Sequence, residues 1–272
     1  MKSLSTALRL LMEFTGDRPV LAVGELAERS GLPKSQVSKL LATFRAHGML
    51  IQDPHSRRYS VGLRAFALGS RFVNHHPLSR EALPILRQLV EQTGHSGRLS
   101  IMDGDRVVYL LQSEGPLLID TGWRVGMFLP LHATTAGKVA LAFLEPARVN
   151  ELLGTAPLKQ ITPGTITDHA ALRRQLTEIR RTGYGISLGE TTPGLGTVGV
   201  PVFGGDNLVL AVLGIAFPMQ VVPRNELPRL ASVLHQSARM LSQRLGCPVY
   251  PFGGGKKPPA LRRSGAGDNI AP

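Results

Sequence analysis

A chain of 272 residues exceeds one average domain, and 43% hydrophobic content with 5% aromatics is the composition of a folded globular protein, so two domains are expected. No run approaches the roughly 18 apolar residues that cross a bilayer, the opening MKSLSTALRLLMEF is broken by charges, and the lone Cys247 excludes an internal disulfide or a cysteine-built metal cluster; a cytoplasmic protein without a membrane partner is expected. The formal charge of +12 calls for a polyanionic partner without naming one.

From Ser3 to Phe14, apolar residues at Leu4, Ala7, Leu8, Leu11, Met12 and Phe14 follow helical spacing. After the turn at Gly16 to Pro19, VGELAERSG brings Val23, Leu26 and Ala27 together and stops at Gly31, which predicts a second helix. Pro33 suits the start of a third, with Val37, Leu40, Leu41 and Phe44 on one side before Gly48 ends it. Two short helices joined through Ser30-Gly31-Leu32-Pro33 make a helix-turn-helix, since glycine permits the tight reversal and proline restarts the helix. Two short strands, 49–51 and 57–61, then flank Asp53-Pro54-His55-Ser56, whose composition favours a turn. Residues 1–62 therefore read as a winged helix-turn-helix.

Leu63 to Val73 is amphipathic, and residues 63–78 read as a linker helix. His75 and His76 diverge as neighbours and have no carboxylate close by, which makes them linker residues rather than metal ligands. Residues 79–245 alternate types: a helix over 79–92, strands over 99–102 and 107–111, and helices over 137–144 and 169–181. Strands near 184–187, 198–203 and 208–217 and a last helix over 225–245 complete the order. Mixed order with hairpin-like strand neighbours predicts an α+β fold, a sheet covered by helices. From Gly246 onward the chain is so rich in glycine and proline that residues 246–272 read as a flexible basic tail.

With Val37, Leu40, Leu41 and Phe44 turned to the core, helical geometry turns Ser35, Gln36, Lys39, Ala42 and Thr43 outward, with Ser38 toward one flank. The major groove admits one helix and shows a distinct donor and acceptor pattern for each base pair. Gln36 suits adenine, Ser35 and Ser38 suit base edges or phosphates, and Lys39 suits guanine or backbone. Arg57 and Arg58 at the wing suit phosphate or the minor groove. Charge placement agrees: residues 1–74 hold 11 Lys/Arg against 5 Asp/Glu, half the excess in about a quarter of the chain.

Other motifs are decoys. Lys138 follows a glycine, but no glycine precedes that pair at phosphate-loop spacing and Val139 stands where a hydroxyl is needed. Gly194-Leu-Gly196-Thr-Val-Gly199 fits G-x-G-x-x-G, but a strand follows it where a dinucleotide site needs a helix. No cofactor is expected. His132 reads as a loop-shaping residue bonded to nearby backbone. Ser, His and Asp occur without a nucleophile elbow or paired-carboxylate spacing, so no enzyme is expected.

Two stretches resemble the IclR family of bacterial regulators: VGMFLPLHATTAGKVALA at 125–142, and RTGYG at 181–185 followed by Glu190, PGLG at 193–196 and VPVF at 200–203. With the N-terminal layout, the likeness spans residues 3 to about 245. It implies a winged helix that dimerises on double-stranded operator DNA, a linker helix and a GAF-like effector domain, the protein being a homodimer or, as often in the family, a tetramer of paired dimers. It implies an effector cleft with Thr135 and Ala136 at a helix start, where backbone N–H groups can bind a carboxylate, and Ser187, Thr197, Gly214 and Ala216 on facing strands. Family members that sense small acids carry more polar side chains at the corresponding positions. A roomier, more apolar cleft is therefore expected here, walled by Trp123, Leu129 and Leu213, and an aromatic or otherwise hydrophobic carboxylic acid as effector.

Overall fold

The computed structural model describes residues 2–16, 18–117 and 124–253, and the chain divides into two compact units, Met1–His76 and Pro77–Pro272. Trp123 and residues 254–272 lie outside the described residues.

In the first unit, α1 (Lys2–Met12) runs through a short 3-10 turn into β1 (Val20–Leu21), then α2 (Val23–Ser30) and α3 (Lys34–Ala46). Gly31, with φ of +68°, ends α2 in the left-handed conformation that glycine adopts without penalty. β2 (Leu50–Gln52) and β3 (Tyr59–Val61) form the antiparallel wing, and β1 pairs with the far side of β3, a strand too short for any periodicity to reveal. Leu10, Phe14, Leu21, Leu26, Val37, Leu41, Leu50 and Tyr59 make the core. The apolar side of α1 is split: Leu10 is buried, whereas Leu4, Leu8 and Met12 face outward. α4 (Leu63–His75) follows the wing, ending short of the expected 63–78; no residue of it is buried, and Leu63, Phe66, Leu68 and Phe72 are exposed.

The second unit opens with α5 (Pro77–Thr93) and the hairpin β4 (Ser96–Asp103) and β5 (Arg106–Ser113). β6 (Phe128–Pro130), α6 (Thr135–Ala142), α7 (Pro146–Leu153) and α8 (His169–Thr182) follow, then β7 (Gly185–Leu188), β8 (Leu195–Phe203), β9 (Val209–Pro218) and α9 (Leu227–Arg244). Among the described residues, six of these strands form one antiparallel sheet in the order β6-β5-β4-β9-β8-β7, the α+β architecture expected. Strand alternation assigns the faces. A Cβ on Gly97 would meet Leu86 and Val90 of α5, while a Cβ on Gly199 would come 2.9 Å from the Thr135 methyl of α6. Thus α5 and α9 cover one face, and α6 backed by α8 covers the other.

The start of the expected flexible tail is a correction. Residues 247–252 fold back as a strap in which Cys247 is buried and Tyr250 and Phe252 pack against Phe143, Phe203 and His235. Tyr250 Oη donates to the Pro201 carbonyl at 3.1 Å and lies 3.0 Å from His235 Nδ1. Two aromatic rings in six residues outweigh the glycine and proline content that suggested disorder. Burial, with Arg239 nearby, pushes the His235 pKa down to about 4, so the ring is neutral near pH 7.

Candidate DNA interface and effector cavity

α3 meets the geometric requirement for a groove. Val37 and Leu41 are fully buried and Leu40 and Phe44 half-buried, which turns Ser35, Gln36, Ser38, Lys39 and Thr43 to the outside, all exposed. Thr43 Oγ1 donates back to the Lys39 carbonyl at 3.0 Å, so its hydroxyl is partly committed to the helix. The wing is braced against the end of α3: Arg45 Nη1 donates to Gln52 Oε1 at 2.7 Å, and Gln52 Nε2 donates to the Arg57 carbonyl at 3.0 Å. In the wing turn, the Asp53 carboxylate accepts from the Ser56 N–H at 2.6 Å and from its hydroxyl at 2.7 Å, and these bonds hold the Asp53 pKa below the usual carboxylate value.

The two wing arginines differ. Arg57 is exposed, at φ of +59°. Arg58 bends back: its Nη1 lies 3.0 Å from Glu25 Oε2, which also accepts the Ala22 N–H at 2.7 Å. The Ala22 bond first, then Arg58, Arg18 and Arg29, lowers the Glu25 pKa. A carboxylate in the first turn of α2 also suits the positive end of that helix. Arg58 thus ties β3 to α2, a role that spacing along the chain did not suggest.

In the second unit, a small cavity of about 30 Å³ lies between the sheet and the start of α6. Thr134 caps that helix, its hydroxyl accepting the Gly137 N–H at 3.0 Å. Gly137 packs so closely on the Leu131 carbonyl that no Cβ would fit. Four of the expected effector residues, Thr135, Ala136, Thr197 and Gly214, line the cavity, and Thr135 Oγ1 lies 2.5 Å from Thr197 Oγ1.

Among the described residues, the other expected ones, Leu129, Ser187, Leu213 and Ala216, do not line it. Leu213 alternates to the opposite face of β9, and Leu129 and Ala216 are buried outside the lining. Ser187 donates its hydroxyl to the Ala133 carbonyl at 3.3 Å, holding the loop before α6. The apolar wall comes instead from Val198, Val212 and Ile215, with Ser100, Tyr109, Thr134, Thr191 and Arg98 adding polar groups beside it. Arg98 is only 7% exposed; its guanidinium stands 4.9 Å over the Tyr109 ring, and Nη1 donates to Tyr109 Oη at 3.3 Å. Sequence reasoning missed it because an arginine inside a strand reads as a solvent-facing position.

Lys138 and His132 support this site from outside. Lys138 is fully buried, its Nζ 2.5 Å from Glu190 Oε1 and donating to Gln175 Oε1 and the Ile186 carbonyl, each at 3.0 Å. Burial lowers its pKa while Glu190 opposes that shift. His132 Nε2 donates to the Lys159 carbonyl at 2.9 Å, tying two loops together through backbone, distant in sequence rather than adjacent.

A helix-turn-helix with a braced wing, carried by a chain whose second unit holds a cavity of mixed polar and apolar lining, defines a winged-helix DNA-binding protein with an effector-binding module. The family model of the IclR helix-turn-helix domain matches residues 3–54, and that of the bacterial transcriptional regulator IclR C-terminal domain matches residues 70–243. The chain belongs to the IclR family of DNA-binding transcription regulators. It is 32% identical to the transcriptional regulator XynR of Escherichia coli, over 91% of this chain and 98% of that protein. It is also 32% identical to KdgR of the same organism, over 92% and 96%. The crystal structure of an IclR regulator from Alicyclobacillus acidocaldarius superposes with a TM-score of 0.78 at 30% identity, over 90% of this chain and 99% of that one. An IclR homologue of Microbacterium hydrocarbonoxydans, complexed with 4-hydroxybenzoate, shares the fold at 24% identity and a TM-score of 0.74, over 89% and 98%.

Proposed function

We propose that α3 reads an operator in the major groove through Ser35, Gln36, Ser38 and Lys39, that Arg57 positions the wing on phosphate, and that a small organic acid in the cavity controls this binding. The observation that carries the reading is the complete outward polar face of α3 above a closed apolar core. Thr43 flanks that face, and Arg58 contributes by bracing the wing. The chain is a binding protein and not an enzyme, which accords with relatives that are named as regulators. It works beside the chromosome in the cytoplasm; no helix among the described residues is long and apolar enough to cross a membrane.

The DNA-bound form is a homodimer, or a tetramer made of two, joined in part through the outward apolar residues of α1 and α4. Effector binding shifts the spacing of the two DNA modules through α4, which matters because half-sites lie about one helical turn or a multiple apart. Sequencing the genomic fragments retained by the full-length protein, with and without cell metabolites, tests the reading. A few sites with a shared inverted repeat are expected, preferred over random DNA by at least roughly 10³ and altered in occupancy by a metabolite fraction. Retention of random fragments alone would instead describe a non-specific architectural binder.

A further inference from the structure

We propose that Gln52 is the positioning residue that sets the recognition helix α3 and Arg57 of the wing at one fixed separation, so that the protein selects operators by the shape of their flanks as well as by the bases α3 meets. This rests on α3 and the wing being the DNA interface. Gln52 ends β2, opposite Tyr59 on β3, and both ends of its amide are in use. Its Oε1 accepts from Arg45 Nη1, in the last turn of α3, at 2.7 Å, and its Nε2 donates to the Arg57 carbonyl, in the wing turn, at 3.0 Å. The amide can face only this way round: reversed, it would set its NH2 against the guanidinium and its oxygen against the carbonyl.

Arg57 carries an independent mark. It stands at φ of +59°, and the other described non-glycine residue with a positive φ is Asn207, a type that enters the left-handed region readily. Glycine would hold this turn without that cost, and an arginine kept in such a conformation points to use of its side chain. The turn itself is closed: the Arg57 N–H donates to the Asp53 carbonyl at 3.0 Å, and the Asp53 N–H to the Arg58 carbonyl at 2.9 Å. Gln52 holds the Arg57 carbonyl, while the guanidinium is exposed, with no hydrogen-bond or ion-pair partner among the described residues.

A phosphate contact carries no base information on its own. It gains some when the cation cannot follow the backbone, because only DNA whose groove width brings a phosphate to that point satisfies helix and wing together. Gln52 supplies this restraint through one side chain bonded to both elements. An unbraced wing would meet phosphate on any flank.

The test enriches random-sequence duplexes on full-length wild type, Gln52→Met, Gln52→Glu and Arg57→Ala, and reads the selected sequences at the core and at the flanks. Gln52→Met removes both bonds, whereas Gln52→Glu keeps an acceptor for Arg45 but no donor for the Arg57 carbonyl. Both are expected to keep the core motif and lose the flank preference, as is Arg57→Ala. On the duplex most enriched by the wild type, both Gln52 variants should bind about three- to tenfold more weakly at an unchanged salt slope. Arg57→Ala should lower that slope.

A merely structural Gln52 would lower the melting temperature and weaken core and flank alike, which overturns the assignment. A flank preference that survives Gln52→Glu overturns it too, and that variant serves alone if Gln52→Met fails to fold. A wild-type motif without any flank preference would overturn the brace while leaving α3 as the reading element. No enriched motif at all would remove both.

Discussion

Lys138 and Glu190 place opposite charges in contact in the interior, with Lys138 fully buried and Gln175 and the Ile186 carbonyl completing its hydrogen bonds. Removing one member of such a pair leaves the other charge uncompensated in a medium that solvates it poorly, whereas removing both leaves an ordinary packing problem. Lys138→Met alone is expected to destabilise the fold by about 3–5 kcal/mol, and adding Glu190→Leu should recover much of that loss. Urea unfolding of the wild type, both single variants and the double variant checks it; strictly additive losses would show that the two charges are not coupled. Because Lys138 lies in α6, whose first turn lines the cavity, the single variant should also weaken any effector response.

Among the elements, the wing separates a contact with DNA from a contact within the fold. Arg57→Ala should leave thermal stability unchanged and reduce the slope of log affinity against log salt by roughly 0.9 for each phosphate no longer neutralised. Arg58→Ala should instead lower the melting temperature, since it unties β3 from Glu25 on α2. Melting curves and salt titrations on one operator fragment distinguish the two, and a full slope change for Arg58→Ala would return it to the DNA face.

The elements also mark where sequence reasoning reached and where it stopped. α3 was legible because Val37, Leu40, Leu41 and Phe44 repeat at helical spacing, and its outward residues followed by subtraction. β1 and β6 escaped because two or three residues carry no period, and α7 because only Val149 in it is buried. Of the thirteen residues lining the cavity, four were legible through the resemblance: Thr135, Ala136, Thr197 and Gly214. Arg98 was not, because only the strand register, which sets it beside Gly214, brings it to the cavity. Leu213 was misplaced by the same uncertainty of register, since a shift of one residue exchanges the faces.

For the molecule as a whole, the outward apolar faces of α1 and α4 bear on assembly. Leu8 is 48% exposed and Phe66 is 68% exposed, so each offers apolar side chain that an interface could bury. Under the proposed dimer, Leu8→Glu together with Phe66→Glu is expected to lower the sedimentation coefficient toward that of a monomer while the melting temperature falls little. Operator affinity should drop by orders of magnitude, because a lone module reads only one half-site. An unchanged sedimentation coefficient would place the contact between copies elsewhere.

The strap that folds back after α9 has a practical consequence as well. It encloses the chain's one thiol, Cys247, whose pKa burial pushes up, so alkylating reagents should pass it by while the fold is intact. A cysteine installed at exposed His55 in the wing turn would then be the single site to take a dye on the otherwise native chain. Spectroscopic rulers can thus follow the two wings of an assembly as ligand is added, without first replacing the native thiol.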